Sequence, residues 1–200
     1  MRKILLVLSI LVASLPGLAG ATLIVNTDQG GGGFDNVLFN GIGTISSGQT
    51  VSGLVNGFLV YFKGNETLIT PSQGQARIEG NDGGFDHLEI FMQDPMGFSK
   101  IQFNLNAEDD GSVNFQFFTT LGSYNYIFSL DGAGENWFKG VATGEVITKV
   151  VIDTSVDLQD LRQVRVGIAN VNNPVPEPAT MVLLGVGLLG LASYGRKKLS

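Results

Sequence analysis

Apolar and polar residues alternate along most of this chain with a period of two. Ile101, Phe103 and Leu105 point one way in the run 101–106, and Val113, Phe115 and Phe117 repeat the beat in 112–117. Val164, Val166 and Ile168 do so again, with Arg165 on the other side. Period two is the signature of half-buried β-strands. Further strands are expected at 22–26, 36–39, 57–62, 75–79, 87–92, 124–130, 137–142 and 145–152. Glycine and Asn/Asp clusters punctuate them, and 28 glycines suit many short strands joined by turns. No convincing amphipathic helix appears; residues 158–162 are expected to form at most one helical turn. The pattern predicts an all-β body, an antiparallel β-sandwich of jelly-roll type.

The two ends depart from this beat. Arg2 and Lys3 precede a short apolar run, Pro16-Gly17 breaks it, and Ala19-Gly20-Ala21 supplies small residues for cleavage. Residues 1–21 therefore read as a signal peptide. At the other end, Pro174, Pro176 and Pro178 keep 172–178 extended, since each removes a backbone donor and fixes φ. Residues 179–194 carry no charge and would span about 24 Å as a helix. Residues 179–195 are read as one transmembrane helix, with the basic tail 196–200 as a cytoplasmic stop formed by Arg196, Lys197 and Lys198. Both cationic flanks then lie inside, and the ectodomain, residues 22–171, lies beyond the inner membrane. The run Gly185–Gly190 matches G-x-G-x-x-G, but it lacks the strand before it and the acidic residue after it that a dinucleotide site requires.

Charge separates the ends from the body. Residues 22–173 hold seven basic and seventeen acidic side chains, a net charge of −10. Such a body repels nucleic acid, and no nucleic-acid partner is expected. There is no cysteine, hence no disulfide or thiolate site, and the one histidine, His87, excludes multi-histidine zinc centres.

The run Val175-Pro176-Glu177-Pro178-Ala179-Thr180, followed by a Gly/Leu-rich span and a basic tail, resembles the PEP-CTERM sorting domain of Gram-negative bacteria. That C-terminal signature is also named after ice-binding protein C-terminal regions. The resemblance implies that Pro176, Glu177 and Pro178 are recognised by an exosortase, a membrane-embedded processing enzyme. It implies an exported protein, held transiently in the inner membrane and then delivered to the cell surface or matrix. It also implies a link to exopolysaccharide and biofilm. The stretches 97–105, 134–138 and 161–167 are similar to uncharacterised ectodomains found ahead of such signals, which bring no assigned activity.

Three chemistries are open to the body. Asn81, Asp82 and Asp86 around Gly83-Gly84 are candidate calcium ligands, and Glu108, Asp109 and Asp110 form a second acidic turn. Neither has the spacing of an EF-hand loop, and no other cofactor is expected. Tyr124, Tyr126 and Trp137 are candidate glycan contacts, if they face solvent and not the core. A catalytic role is not expected, because no G-x-S-x-G or H-E-x-x-H motif is present; a surface glycosidase, with two carboxylates brought together only by folding, is the third alternative. The first expectation is a structural or adhesive matrix protein, and the second a glycan-binding module sent out by the same signal. Gly32-Gly33-Phe34-Asp35 echoes Gly83-Gly84-Phe85-Asp86, which reads as a turn-into-strand solution with Phe buried and Asp bonded to turn amides.

Overall fold

A computed structural model describes residues 21–30, 32–71 and 77–172. The expected signal peptide, sorting motif, membrane helix and basic tail lie outside them. The described body is all-β, with every strand pair antiparallel.

Eleven strands form it: β1 (Thr22–Asn26), β2 (Asp35–Asn36), β3 (Ser47–Val55), β4 (Phe58–Ile69), β5 (Arg77–Gly80), β6 (Phe85–Met92), β7 (Met96–Ala107), β8 (Gly111–Thr119), β9 (Ser123–Leu130), β10 (Asn136–Thr143) and β11 (Ile147–Asn170). They make two wings. The first runs β1-β10-β7 and then the C-terminal half of β11, which also carries β5 and β2. The second runs β9-β8, the N-terminal half of β11, then β6, β4 and β3. β11 crosses between wings where its pairing shifts between Asp153 and Leu158. β4 does the same, pairing β6 over Val60–Gly64 and β5 over Leu68–Ile69. The layers of the expected sandwich are thus one continuous sheet, bent on two long strands.

The core lies between the wings. Phe103 and Phe138 of the first meet Phe115 of the second, with ring centroids 5.8 and 4.7 Å from the Phe115 ring. Edge-on contacts of this kind suit the quadrupoles of aromatic rings. Ile101, Leu105, Phe62, Leu88, Ile90, Val150 and Ile152 are wholly buried around them.

Two sequence expectations change. Residues 158–162 are strand, not a helical turn: β7 and β5 flank this part of β11, and Leu158 and Leu161 drop into the core. The segments expected at 145–152 and 164–168 are also one strand. β3, which no strong alternation marks, exists because Asn56 and Gly57, with φ of 48° and 86°, form a tight turn that folds it onto β4. Asn-Gly is the pair that such positive-φ hairpin turns favour.

One irregularity positions side chains. Arg162 lies opposite Asn104 and Arg165 opposite Gln102, so three residues of β11 match two of β7. Gln163, at φ 55°, sits in this bulge. A bulge adds one residue and resets the alternation, so Arg162 and Arg165 share a face that strict period two would deny them.

Candidate functional site

The outer face of the second wing carries a row that the inner pattern hides. Tyr61 on β4 stands opposite Phe91 on β6, Phe91 opposite Lys149 on β11, and Lys149 opposite Phe118 on β8. All four are half-buried. Tyr61 and Phe91 stack, with centroids 5.6 Å apart and planes 19° from parallel. Lys149 Nζ lies 4.8 Å from the centre of the Phe118 ring, within cation–π range.

A charged cluster borders this row. Lys149 Nζ donates to Glu89 Oε2 at 3.2 Å, and Lys63 Nζ lies 3.8 Å from Glu89 Oε1. His87 bonds Asp153 through Nδ1 at 2.6 Å, with Nε2 3.9 Å from Glu89. Burial alone would raise the Glu89 pKa. The Lys149 hydrogen bond, with the charges of Lys149, Lys63 and His87, outweighs it and holds the group below its usual 4.5. A carboxylate depressed by folding stabilises the protein above its unfolded pKa, and that contribution is lost as pH falls through the lower folded value. Glu89→Gln is therefore expected to shrink the drop in melting temperature between about pH 5 and about pH 3; an unchanged drop would show that Glu89 contributes nothing to it.

The sequence-predicted residues fare differently. Tyr124 and Tyr126 lie on the core-facing side of β9, opposite Phe117 and Phe115. The Tyr126 hydroxyl donates to the Leu23 carbonyl at 2.9 Å, and that of Tyr124 to Glu145 Oε1 at 3.1 Å. Desolvation raises both phenol pKa values, and Glu145 adds to the rise. Trp137, on β10, is only 7% exposed, and its indole N–H donates to Glu135 Oε2 at 3.0 Å. These three do not make one exposed platform, because period two aims Tyr124 and Tyr126 inward while Trp137 belongs to the opposite wing.

Around the Gly83-Gly84 turn, Asp86 accepts from Asn65 Nδ2 at 2.6 Å. A hydrogen bond with Asp82 raises the Glu66 pKa, and the charges of Asp82, Asp157 and Asp86 add to it. The acidic residues near Asn81, Asp82 and Asp86 thus interact. Still, among the described residues no group of three or more His, Asp or Glu side chains is arranged to hold a metal ion. The Gly-Gly-Phe-Asp echo is real in part. Phe85 is buried, whereas Phe34 lies under Lys100, and each Asp accepts from an asparagine side chain, Asn56 for Asp35 and Asn65 for Asp86.

The row Tyr61–Phe91–Phe118 escaped the sequence reading, although a signal was present. Each falls on the off-beat of a strand whose on-beat residues, Phe62, Ile90 and Phe117, are wholly or almost wholly buried. An aromatic residue on the solvent beat is the mark to look for. Half-exposed aromatic side chains bordered by a carboxylate and amines offer apolar contact together with hydrogen-bonding groups.

A family model described as the PEP-CTERM protein-sorting motif matches residues 174–197. No curated protein matches the chain. A solved structure titled "BiXyn10A CBM1 APO" aligns at 14% identity over 78% of this chain and 99% of its own, with a TM-score of 0.27, too low to define a shared fold. The motif marks an exported protein whose C-terminal membrane-anchoring signal is processed by an exosortase.

Proposed function

From a chain that carries an exosortase sorting signal, we propose a structural or adhesive protein of the cell surface and its exopolysaccharide matrix. The matched motif at 174–197 carries this reading. In it, residues 1–21 direct export, and the segment 179–195 holds the chain in the inner membrane with Arg196, Lys197 and Lys198 inside. Pro176, Glu177 and Pro178 present the site for processing, after which the β-rich body is released to the surface of a Gram-negative cell. The body needs no catalytic group for this role.

A second reading, that the body is itself a glycan-binding module, is favoured by the aromatic row Tyr61–Phe91–Phe118. Stacking on half-exposed rings gives a polysaccharide a foothold without a deep pocket, and its partly apolar contact area is already paired and ordered across one sheet.

One experiment tests both. Intact mass and cell fraction are compared for the wild type, a Pro176→Ala/Glu177→Ala/Pro178→Ala triple variant, and Phe91→Ala. The wild type is expected to lose 196–200 and appear with the polysaccharide, and the triple variant to remain full-length in the inner membrane. Phe91→Ala is expected to be processed normally but to wash out of the polysaccharide fraction. A mature wild-type product that retains 196–200 overturns the sorting reading. Normal retention of Phe91→Ala overturns the role of the aromatic row.

A further inference from the structure

The outer face of the first wing is polar where a strand covered on both sides would ordinarily be apolar. Register defines its rows. Lys139, Gln102 and Arg165 stand abreast on β10, β7 and β11; Trp137, Asn104 and Arg162 form the next row. Gln102 is 0% exposed and Asn104 1%. Neither end of either amide has a hydrogen-bond partner. Each amide keeps an acceptor oxygen and a two-proton donor unused, and native proteins seldom leave such groups unmatched without a reason.

Charge on this face runs against the rest of the body. Five of the seven basic residues between 22 and 173 belong to its strands: Arg77, Lys100, Lys139, Arg162 and Arg165. Arg77 pairs with Glu79, and Arg162 with Asp160 at 2.6 and 2.7 Å. Lys139 donates to the Gly30 carbonyl at 3.3 Å, and Lys100 to the Gly32 carbonyl at 3.0 Å while also lying over the Phe34 ring. Among the described residues, no carboxylate pairs with Lys100, Lys139 or Arg165. A body of net charge −10 thus gathers three uncompensated cations around two unsatisfied amides.

We propose that this face binds an anionic, hydroxyl-rich polysaccharide. Lys139 and Arg165 flank Gln102 two strand spacings apart, about 10 Å, and take the polymer's carboxylates. Arginine can do so bidentately. The amides of Gln102 and Asn104, each with a donor beside an acceptor, take the intervening hydroxyls. Lys139 and Arg165 flank Gln102 in its row and are long and flexible, so each can turn toward a ligand's anions without moving a strand. Nucleic acid fits poorly, because its phosphates are too densely charged for a body of this sign. The choice of polymer rests on the matrix reading above; the site itself does not involve the aromatic row.

The test uses the full chain in detergent micelles, titrated calorimetrically with polygalacturonate and with dextran of equal length. Polygalacturonate is expected to bind, more weakly as salt rises, and dextran to bind at least tenfold less tightly. Lys139→Gln/Arg165→Gln is expected to weaken polygalacturonate binding at least tenfold. Gln102→Met/Asn104→Leu is expected to weaken it at least fivefold with the salt dependence retained. No binding, equal binding of dextran, or an amide double variant that binds like the wild type overturns the proposal. A wild type that ignores polygalacturonate yet stays with the cell's polysaccharide sinks this inference and leaves the matrix reading standing. One that binds polygalacturonate but is never surface-retained supports the site and sinks that reading.

Discussion

Phe115→Ala is expected to lower the unfolding free energy by about 3–5 kcal/mol, the range for a phenylalanine deleted from a packed core. Phe115 is 0% exposed and joins the wings: its ring lies 4.7 Å from Phe138, 5.8 Å from Phe103, 6.1 Å from Phe117 and 6.0 Å from Phe128. Truncation loses the transfer energy of the ring and leaves a cavity that β-strands held by ladder hydrogen bonds cannot collapse to fill. Phe115→Leu, which keeps most of the volume, is expected to cost clearly less. Denaturant titration with an unchanged slope measures both. A loss below about 1 kcal/mol for the alanine variant would mean the wings do not pack through this ring.

The second large effect has the opposite sign. Gln102→Met keeps an unbranched side chain of similar length, and Asn104→Leu keeps a forked one. Each removes a buried donor and acceptor that have no partner. Leaving such groups unsatisfied costs about 1–3 kcal/mol apiece, and apolar replacement of the same shape recovers that cost. Together the changes are expected to raise the melting temperature by several degrees, at about 2–4 °C per kcal/mol for a body of this size. Thermal unfolding without ligand checks this. A lower or unchanged melting temperature would show that the amides already find partners, such as buried water. Gain of stability with loss of polygalacturonate binding, in one variant, is the trade expected where a fold keeps strained polar groups for a ligand.

Much of the body was legible in the alternation. The expected segments 22–26, 87–92 and 124–130 fall on β1, β6 and β9, and the core set Ile101, Phe103, Leu105, Val113, Phe115 and Phe117 is buried as the beat requires. Alternation reports which residues are on opposite faces of one strand, and burial of one face enforces it. It does not report where a strand bends. That is why β11 read as two strands with a helical turn between them, and why 57–62 read as the whole of β4.

The sites divide along the same line. The sorting motif was legible in the chain alone, because the match at 174–197 is carried by residues that follow one another in sequence. The sequence by itself also determined the alternating core and the acidic balance. Folding alone brought together the side chains of each face. Tyr61, Phe91 and Phe118 come from three strands, and nothing but register aligns them. Tyr124 and Tyr126 were turned inward by pairing with β8. Arg162 and Arg165 share a face through one bulged residue, and Gln102 is flanked by strands far from it in sequence. Pairing between distant segments is set by how the whole sheet closes over its core, and a local pattern carries no record of it.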